Sequence, residues 1–239
     1  MNTRQTANSG MKVAVILPCF NEEKAIGKVI GDFQQSLPDA EIYVFDNNSS
    51  DATAAVSRAA GAKVVFVGLP GKGNVIRRMF ADIEADIYVM ADGDDTYEAG
   101  VAQKLVDKLV NNNLDMVVGC RVDEGQAENY RRGHRFGNQM LTGSVRRIFG
   151  GKFSDMLSGY RVFSRRFVKS FPALARGFEF ETELTVHALD LRMPCGEVVT
   201  SYGSRPEVSV SKLSSYKDGF RRLSTLLRLY MVDRPLEVF

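Results

Sequence analysis

Cysteine is scarce, with Cys19, Cys120 and Cys195 the only three in 239 residues. An odd number without metal-ligand spacing excludes a zinc cluster and a disulfide framework. The expectation is a reducing compartment and thiols that act as small buried hydrophobes. Histidine is as rare, and His134 stands without ligand partners, so no metal role falls to it. Long apolar runs are missing: none reaches the roughly 18 residues of a membrane-spanning helix. Residues 1–10 are polar without an apolar centre, which predicts a flexible leader and not a secretory signal. A net charge of +2 is too small to argue for nucleic acid. No repeat appears at solenoid periods. No Gly-x-Gly-x-x-Gly follows the first apolar run, and Gly71-Lys72-Gly73 lacks the upstream glycine and the Ser or Thr of a P-loop, which excludes both of those nucleotide motifs.

What is present is an alternation. Hydrophobic residues make up 44% of the chain, enough for one large α/β core or two modest ones. Short β-branched runs at residues 12–17, 41–45, 62–67, 86–90 and 114–118 alternate with helical patterns such as Ile26, Val29, Ile30, Phe33 and Leu37. A further helix carries Val75, Ile76, Met79, Phe80 and Ile83, and another Val101, Leu105 and Leu109. Such spacing predicts a mostly parallel sheet with helices on both faces. In open sheets of this kind ligands bind at the carboxyl ends of the strands. The polar groups fall there: Asn21-Glu22, Asp46, Gly71-Lys72-Gly73, the cluster Asp92-Gly93-Asp94-Asp95, and Arg121.

That set suits a nucleotide, because a carboxylate accepts from base N–H groups, lysine or backbone amides meet phosphate, and acids hold a metal between phosphates. Asp92 and Asp94 lie two apart, so an extended backbone points both to one side, and Gly93 allows close approach of phosphate or sugar. A hard divalent cation, Mg²⁺ or Mn²⁺, is the natural guest. The same residues also read as an Asp/Gly turn ending a strand, Asp95 as a solvated turn acid, and Glu22 and Glu23 as first-turn acids of a helix.

In order along the chain stand Leu17-Pro18-Cys19-Phe20-Asn21-Glu22-Glu23, Asp46-Asn47-Asn48-Ser49-Ser50-Asp51-Ala52-Thr53, Gly71-Lys72-Gly73-Asn74 and Asp92-Gly93-Asp94. Together they resemble the signature of family 2 glycosyltransferases, enzymes with a GT-A fold. Asn47 and Asn48 depart from the usual Asp-Asp-Gly-Ser turn. Gly119-Cys120-Arg121, Asp155 to Arg161, Phe178 to Glu181 and Arg205 to Lys212 resemble the branch holding dolichyl-phosphate mannose synthase and bacterial polyprenyl-phosphate sugar transferases. The resemblance implies that Pro18, Phe20, Glu22 and Asp46 surround base and ribose. Asp92 faces ribose or diphosphate, Asp94 ligates the metal, and Lys72 and Arg121 approach phosphate. It places Asp155 to Arg161 beneath the donor sugar and acceptor phosphate, with Ser158 of the Ser-Gly turn facing the acceptor phosphate and Glu181 near the sugar or metal. Arg205 and Lys212 fall in a loop that can close over diphosphate. The implied reaction inverts the anomeric carbon as a hexosyl group moves from a UDP- or GDP-linked sugar to a polyprenyl phosphate. Transfer to a sugar hydroxyl is the alternative and needs a carboxylate base such as Asp155 or Glu181.

The acceptor side lies in the basic second half. Residues 128–150 carry Arg131, Arg135 and Asn138 around a loosely apolar helical side. They read either as a solvated basic helix or as an interfacial one supplying cations to an acceptor phosphate. Phe220, Leu223, Leu227 and Tyr230 share a helical face flanked by Lys217, Arg221, Arg222 and Arg228, suited to an anionic lipid surface or to packing on the core or a second subunit. The expected organisation is a catalytic domain over 11–204 and an acceptor loop with interfacial helix over 205–239. The expected location is cytoplasmic, peripheral on the inner face of the membrane, with homo-oligomerisation open.

Overall fold

The run Val13–Cys19 forms β1 and is buried at every position, because both of its faces are covered. Val13, Val15, Leu17 and Cys19 face one hydrophobic cluster. Ala14 and Ile16 face the other. This period of two on a continuously apolar strand marks a central strand of an α/β sheet. In the computed structural model, which describes residues 10–122, 153–175, 177 and 179–203, the remaining elements build outward from it. They are α1 (Ile26–Ser36), β2 (Glu41–Asp46), α2 (Thr53–Ala59), β3 (Lys63–Phe66), α3 (Lys72–Asp82), β4 (Ile87–Met90), α4 (Ala102–Asn111), β5 (Met116–Val122), β6 (Arg161–Ser164), α5 (Arg165–Ser170), α6 (Phe180–Asp190) and β7 (Cys195–Ser201).

The strands form one seven-stranded sheet in the order β3-β2-β1-β4-β6-β5-β7. β1 pairs in parallel with β2 and β4, and β2 with β3. β6 runs antiparallel to both β4 and β5, so β5 points the same way as β4, and β7 is parallel to β5. The expected mostly parallel sheet is therefore observed, with β6 as the reversed member. Its reversal matters: the start of β6, at Arg161, lies at the same edge as the carboxyl ends of the other strands.

Helices α1 and α4 cover one face through residues such as Ile30, Phe33, Leu105 and Leu109. Helices α3, α5 and α6 cover the other through Met79, Phe80, Phe167 and Leu184. Each such fully buried side chain contributes about 1.5–3 kcal/mol. The switch from β6 to α5 is immediate because Ser164 caps the helix, its Oγ accepting from Phe167 N at 3.1 Å. Cys19 and Cys120 are buried as expected, whereas Cys195, on β7 beside the last parallel pair, is only half-buried. Burial pushes the Cys120 and Cys195 thiols up to about 12, so neither is a nucleophile near neutral pH. Among the described residues no helix is long and apolar enough to cross a membrane. The leader, His134, Arg131, Arg135, Asn138, Arg205, Lys212 and the amphipathic stretch around 217–231 lie outside the described residues.

Candidate active site

Register levels the strand ends: Cys19 pairs with Asp46, and Asp46 with Phe66. β4 stops at Met90, opposite Ile16, so the acid turn that follows lies alongside the last residues of β1. Asp46, which closes β2, is buried, and its Oδ1 accepts from Ser49 N at 3.1 Å. The turn between them passes through Asn48 at φ 64, a left-handed position. Glycine usually takes that conformation and asparagine tolerates it, so the departure from the family turn keeps the same backbone.

Asn21, also left-handed at φ 55, accepts from Ser50 N at 2.8 Å and donates its own N–H to Ser49 Oγ at 2.9 Å. Glu22 is buried and its N–H donates to Thr53 Oγ1 at 2.8 Å. Glu23 N donates to Asp51 Oδ2 at 3.1 Å while Ala52 N donates to Glu23 Oε2 at 2.9 Å. The helix that Glu23 serves is thus α2, across the loop. α1 as bounded has no acid in its first turn, but Glu22 O accepts from Ala25 N and Ile26 N, each at 3.0 Å, so Glu22 and Glu23 stand on the turn that leads into that helix. Phe20 is exposed at this edge, and Pro18 is buried within β1.

The acid turn departs from its expected geometry. Residues 93–95 bend, with Asp95 at φ 60, so Asp92 and Asp94 are not aligned by an extended strand. Asp94 is buried and its Oδ1 accepts from Thr96 Oγ1 at 2.6 Å. Asp92 is ion-paired and hydrogen-bonded to Lys72. Gly93 owes its identity to packing: a Cβ there would lie 2.4 Å from Cys19 Sγ and 3.2 Å from Ile26 Cδ1. The close approach it permits is to the protein's own core, which corrects the expectation of a phosphate or sugar. Asp95 pairs with Lys28 at 2.7 Å. On the other side of Asp92 lies Gly159, whose Cβ would meet Asp92 Oδ2 at 3.0 Å, and Gly159 N donates to the Tyr97 hydroxyl at 2.8 Å.

Lys72 opens α3 behind Gly71, itself at φ 118. Its ammonium meets Asp92 and stands 3.9 Å from Glu181 Oε1, in the first turn of α6. Burial pushes the Lys72 pKa down, but the charges of Asp92 and Glu181, the hydrogen bond to Asp92 and the charge of Asp94 together outweigh it, so the net shift is upward and the lysine stays charged. Elements distant in sequence are thus drawn around one cation.

Arg121, near the end of β5, forms a two-point pair with Asp155, Nε to Oδ2 at 2.6 Å and Nη2 to Oδ1 at 2.8 Å, and its guanidinium lies 5.3 Å from the Tyr202 ring centroid. Ser158 is fully buried and donates its hydroxyl to Gly119 O at 2.6 Å. That proton is already engaged inside the fold, which corrects the expectation that Ser158 faces an acceptor phosphate. Arg161 is the larger surprise. It is fully buried and donates to Ser158 O at 3.0 Å, Met156 O at 2.5 Å, Thr185 Oγ1 at 3.0 Å and Glu181 O at 3.2 Å. It thereby joins the 156–158 loop to the start of α6.

Among the described residues no three His, Cys, Asp or Glu side chains form a cluster able to hold a metal unaided. Asp92 and Asp94 nevertheless fit one in part. Both are hard oxygen donors at a strand end, and a donor diphosphate with water would have to supply the remaining oxygens around a hard divalent cation. A cavity of about 710 Å³ lies elsewhere, on the α1 side of the turn between Lys28, Ser36, Thr96, Glu98 and Ser201, and neither Asp46, Lys72 nor Asp92 lines it.

The family model described as "Glycosyl transferase family 2" matches residues 14–171, which takes in β1 to β6 and the acid turn. The chain belongs to glycosyltransferase family 2. Across 228 residues it is 34% identical to glycosyltransferase AglJ of Haloferax volcanii, covering 95% of this chain and 75% of that one. Across 153 residues it is 30% identical to the dolichyl-phosphate hexose transferase of the same organism, covering 64% and 66%. Glucosyl-3-phosphoglycerate synthase of Mycobacterium tuberculosis, solved with Mn²⁺, UDP-glucose and phosphoglyceric acid, superposes with a TM-score of 0.78 at 25% identity, covering 94% and 81%. The sheet and its flanking helices are thus a GT-A fold.

In this family 2 chain two residues of consequence escaped the sequence reading. Arg161 was visible only as one more cation, since nothing local signals that an arginine is buried. Asn47 was noted only as a departure from the family turn, although its side chain spans to the loop before α3.

Proposed function

We propose that the chain is an inverting hexosyltransferase that uses a nucleoside diphosphate sugar, with UDP favoured over GDP, and a polyprenyl phosphate acceptor. The observation that carries this reading is the Lys72 ammonium set among Asp92, Asp94 and Glu181 at the carboxyl edge of the sheet. Such a site pairs phosphate-seeking cations with cation-holding acids. The UDP-glucose complex of the mycobacterial neighbour supports the donor class, and the dolichyl-phosphate hexose transferase relative supports the acceptor class.

In this reading Phe20, Glu22 and Asp46 surround the base and ribose over Pro18. Lys72 exchanges its contact with Asp92 for the donor diphosphate, and Arg205 and Lys212 close over it. Asp94, with Asp92, holds Mg²⁺ or Mn²⁺; when bound, the cation supplies Lewis-acid stabilisation of the departing diphosphate. An acceptor phosphate oxygen attacks the anomeric carbon, the bond from that carbon to the diphosphate breaks, and the nucleoside diphosphate leaves with the electron pair. The configuration inverts. Because the nucleophile is already anionic, positioning and charge neutralisation carry the catalysis. Arg121, Arg131, Arg135 and Asn138 serve the acceptor phosphate. The catalytic unit spans 11–204, and 205–239 form an acceptor loop and interfacial helix that keep the enzyme on the inner membrane surface.

A hydroxyl acceptor is the second reading, and the phosphoglycerate-using neighbour gives it a footing. It requires a base, and Asp155 must first break its two-point pair with Arg121 to take a proton. Release of UDP from UDP-glucose, measured with donor alone, with added polyprenyl phosphate and with added sugar, separates the two. The proposal expects release stimulated by the lipid phosphate at least about tenfold over donor alone. Stimulation by the sugar alone, or none by either, overturns it.

A further inference from the structure

Between the end of β3 at Phe66 and the start of α3 at Lys72 the chain crosses residues 67–71, with Leu69 exposed at the surface. The side chain of Asn47, just past β2, holds this crossing. Its Nδ2 donates to Val67 O and to Leu69 O, each at 2.9 Å, and its Oδ1 accepts from Gly71 N at 2.9 Å. Its own N–H is anchored on Cys19 O at 2.8 Å, at the end of β1. Through its backbone and its side chain together, Asn47 therefore ties the ends of β1 and β2 to the residue that immediately precedes Lys72.

The pattern of partners decides the chemistry required. Two carbonyls face the nitrogen and one N–H faces the oxygen, so the group must donate twice and accept once. An ionised aspartate keeps the bond from Gly71 but sets an anionic oxygen against the carbonyls of Val67 and Leu69. A protonated aspartate recovers one of the two donations.

We propose that Asn47 is a positioning residue that presets the Gly71-Lys72 corner for the donor diphosphate, and that an amide, not a carboxylate, is the functional group this chain requires there. The inference rests on the donor reading above, because it assigns the purpose of the corner. It goes beyond that reading in identifying what holds Lys72 in register before any ligand arrives.

The test uses the full chain with Asn47→Asp and Asn47→Ala. Amide hydrogen exchange of the 67–73 segment is followed without ligand, and UDP affinity in the presence of Mn²⁺ is measured from about pH 4 to about pH 8, a window whose lower end reaches the range in which a carboxylate facing two carbonyls takes up a proton. In Asn47→Asp the segment exchanges about tenfold faster near pH 8 while global melting stays close to wild type, and UDP binds about tenfold more weakly. That loss of affinity, relative to wild type, shrinks as the pH falls and the carboxyl regains a proton. In Asn47→Ala the loss is present at every pH. Unchanged exchange in 67–73, or an affinity ratio for Asn47→Asp that is flat with pH, overturns the inference. A wild-type chain that binds no UDP overturns the donor reading and the purpose given to the brace, while the exchange measurement still decides whether the brace exists.

Discussion

Asp46 ends a buried strand with a carboxylate that is itself almost enclosed, a placement that costs solvation unless a donor completes it. In the proposed complex the donor is the base. Because a base contact is made equally in the ground and transition states, Asp46→Ala is expected to raise the Michaelis constant for UDP-glucose about tenfold or more with little change in kcat. Calorimetry showing unchanged UDP affinity would remove Asp46 from that role. Arg161 makes the opposite case, a charge retained deep inside for what it organises. Burial holds its pKa below the ordinary arginine value, although Glu181 and Asp155 oppose that, and its donors satisfy the carbonyls of Met156, Ser158 and Glu181. Arg161→Met strands the carbonyls of Met156 and Ser158 and is expected to cost about 3 kcal/mol or more in urea unfolding. A midpoint indistinguishable from wild type would show that the arginine is dispensable to the fold.

At the scale of elements, Glu41 ties the start of β2 to its neighbours. Lys63 of β3 donates to it at 2.5 Å, Tyr43 at 2.6 Å and Lys12, just ahead of β1, pairs with it at 3.1 Å. These contacts, Lys63 first, then Tyr43 and Lys12, hold its carboxyl at about 2 against an ordinary 4.5. A depressed folded pKa means that the stabilisation is present above the ordinary value and is lost as pH falls from there toward the folded one. Glu41→Gln should therefore flatten the fall in melting temperature between those two values while changing little in the slope above them. An unaltered acid limb would contradict the assignment.

Which elements could be read from the sequence follows from locality. Val13–Cys19 and Ile87–Met90 announce themselves because both faces of each strand are covered, leaving an unbroken apolar run. Ile26, Val29, Ile30 and Phe33 reveal α1 because a single face is buried. The reversal of β6 was not legible, since it depends on pairing with both β4 and β5, far apart in sequence. Asn47 was opaque for the same reason: its partners lie 20 to 24 residues away. At Gly93 the residue type was read correctly as demanding close approach, but only the fold shows that the approach is to Cys19.

At the scale of the molecule, one edge of the sheet collects what the chain distributes over more than a hundred residues. Six strands deliver their carboxyl ends there, and reversed β6 delivers its beginning. The result is a corner in which Asp46, Lys72, Asp92, Asp94, Arg121, Asp155 and Glu181 belong to one rim, with Arg161 beneath it. The central claim is that this rim is a donor site whose acids work through a divalent cation. The most direct measurement is calorimetric titration of UDP into the full chain with and without Mn²⁺, for wild type and Asp94→Asn. The account predicts that Mn²⁺ strengthens UDP binding at least about tenfold in wild type, in keeping with removal of charge repulsion between diphosphate and carboxylates, and that this gain disappears in Asp94→Asn. Equal affinity with and without Mn²⁺, or a metal effect that survives in Asp94→Asn, would contradict it.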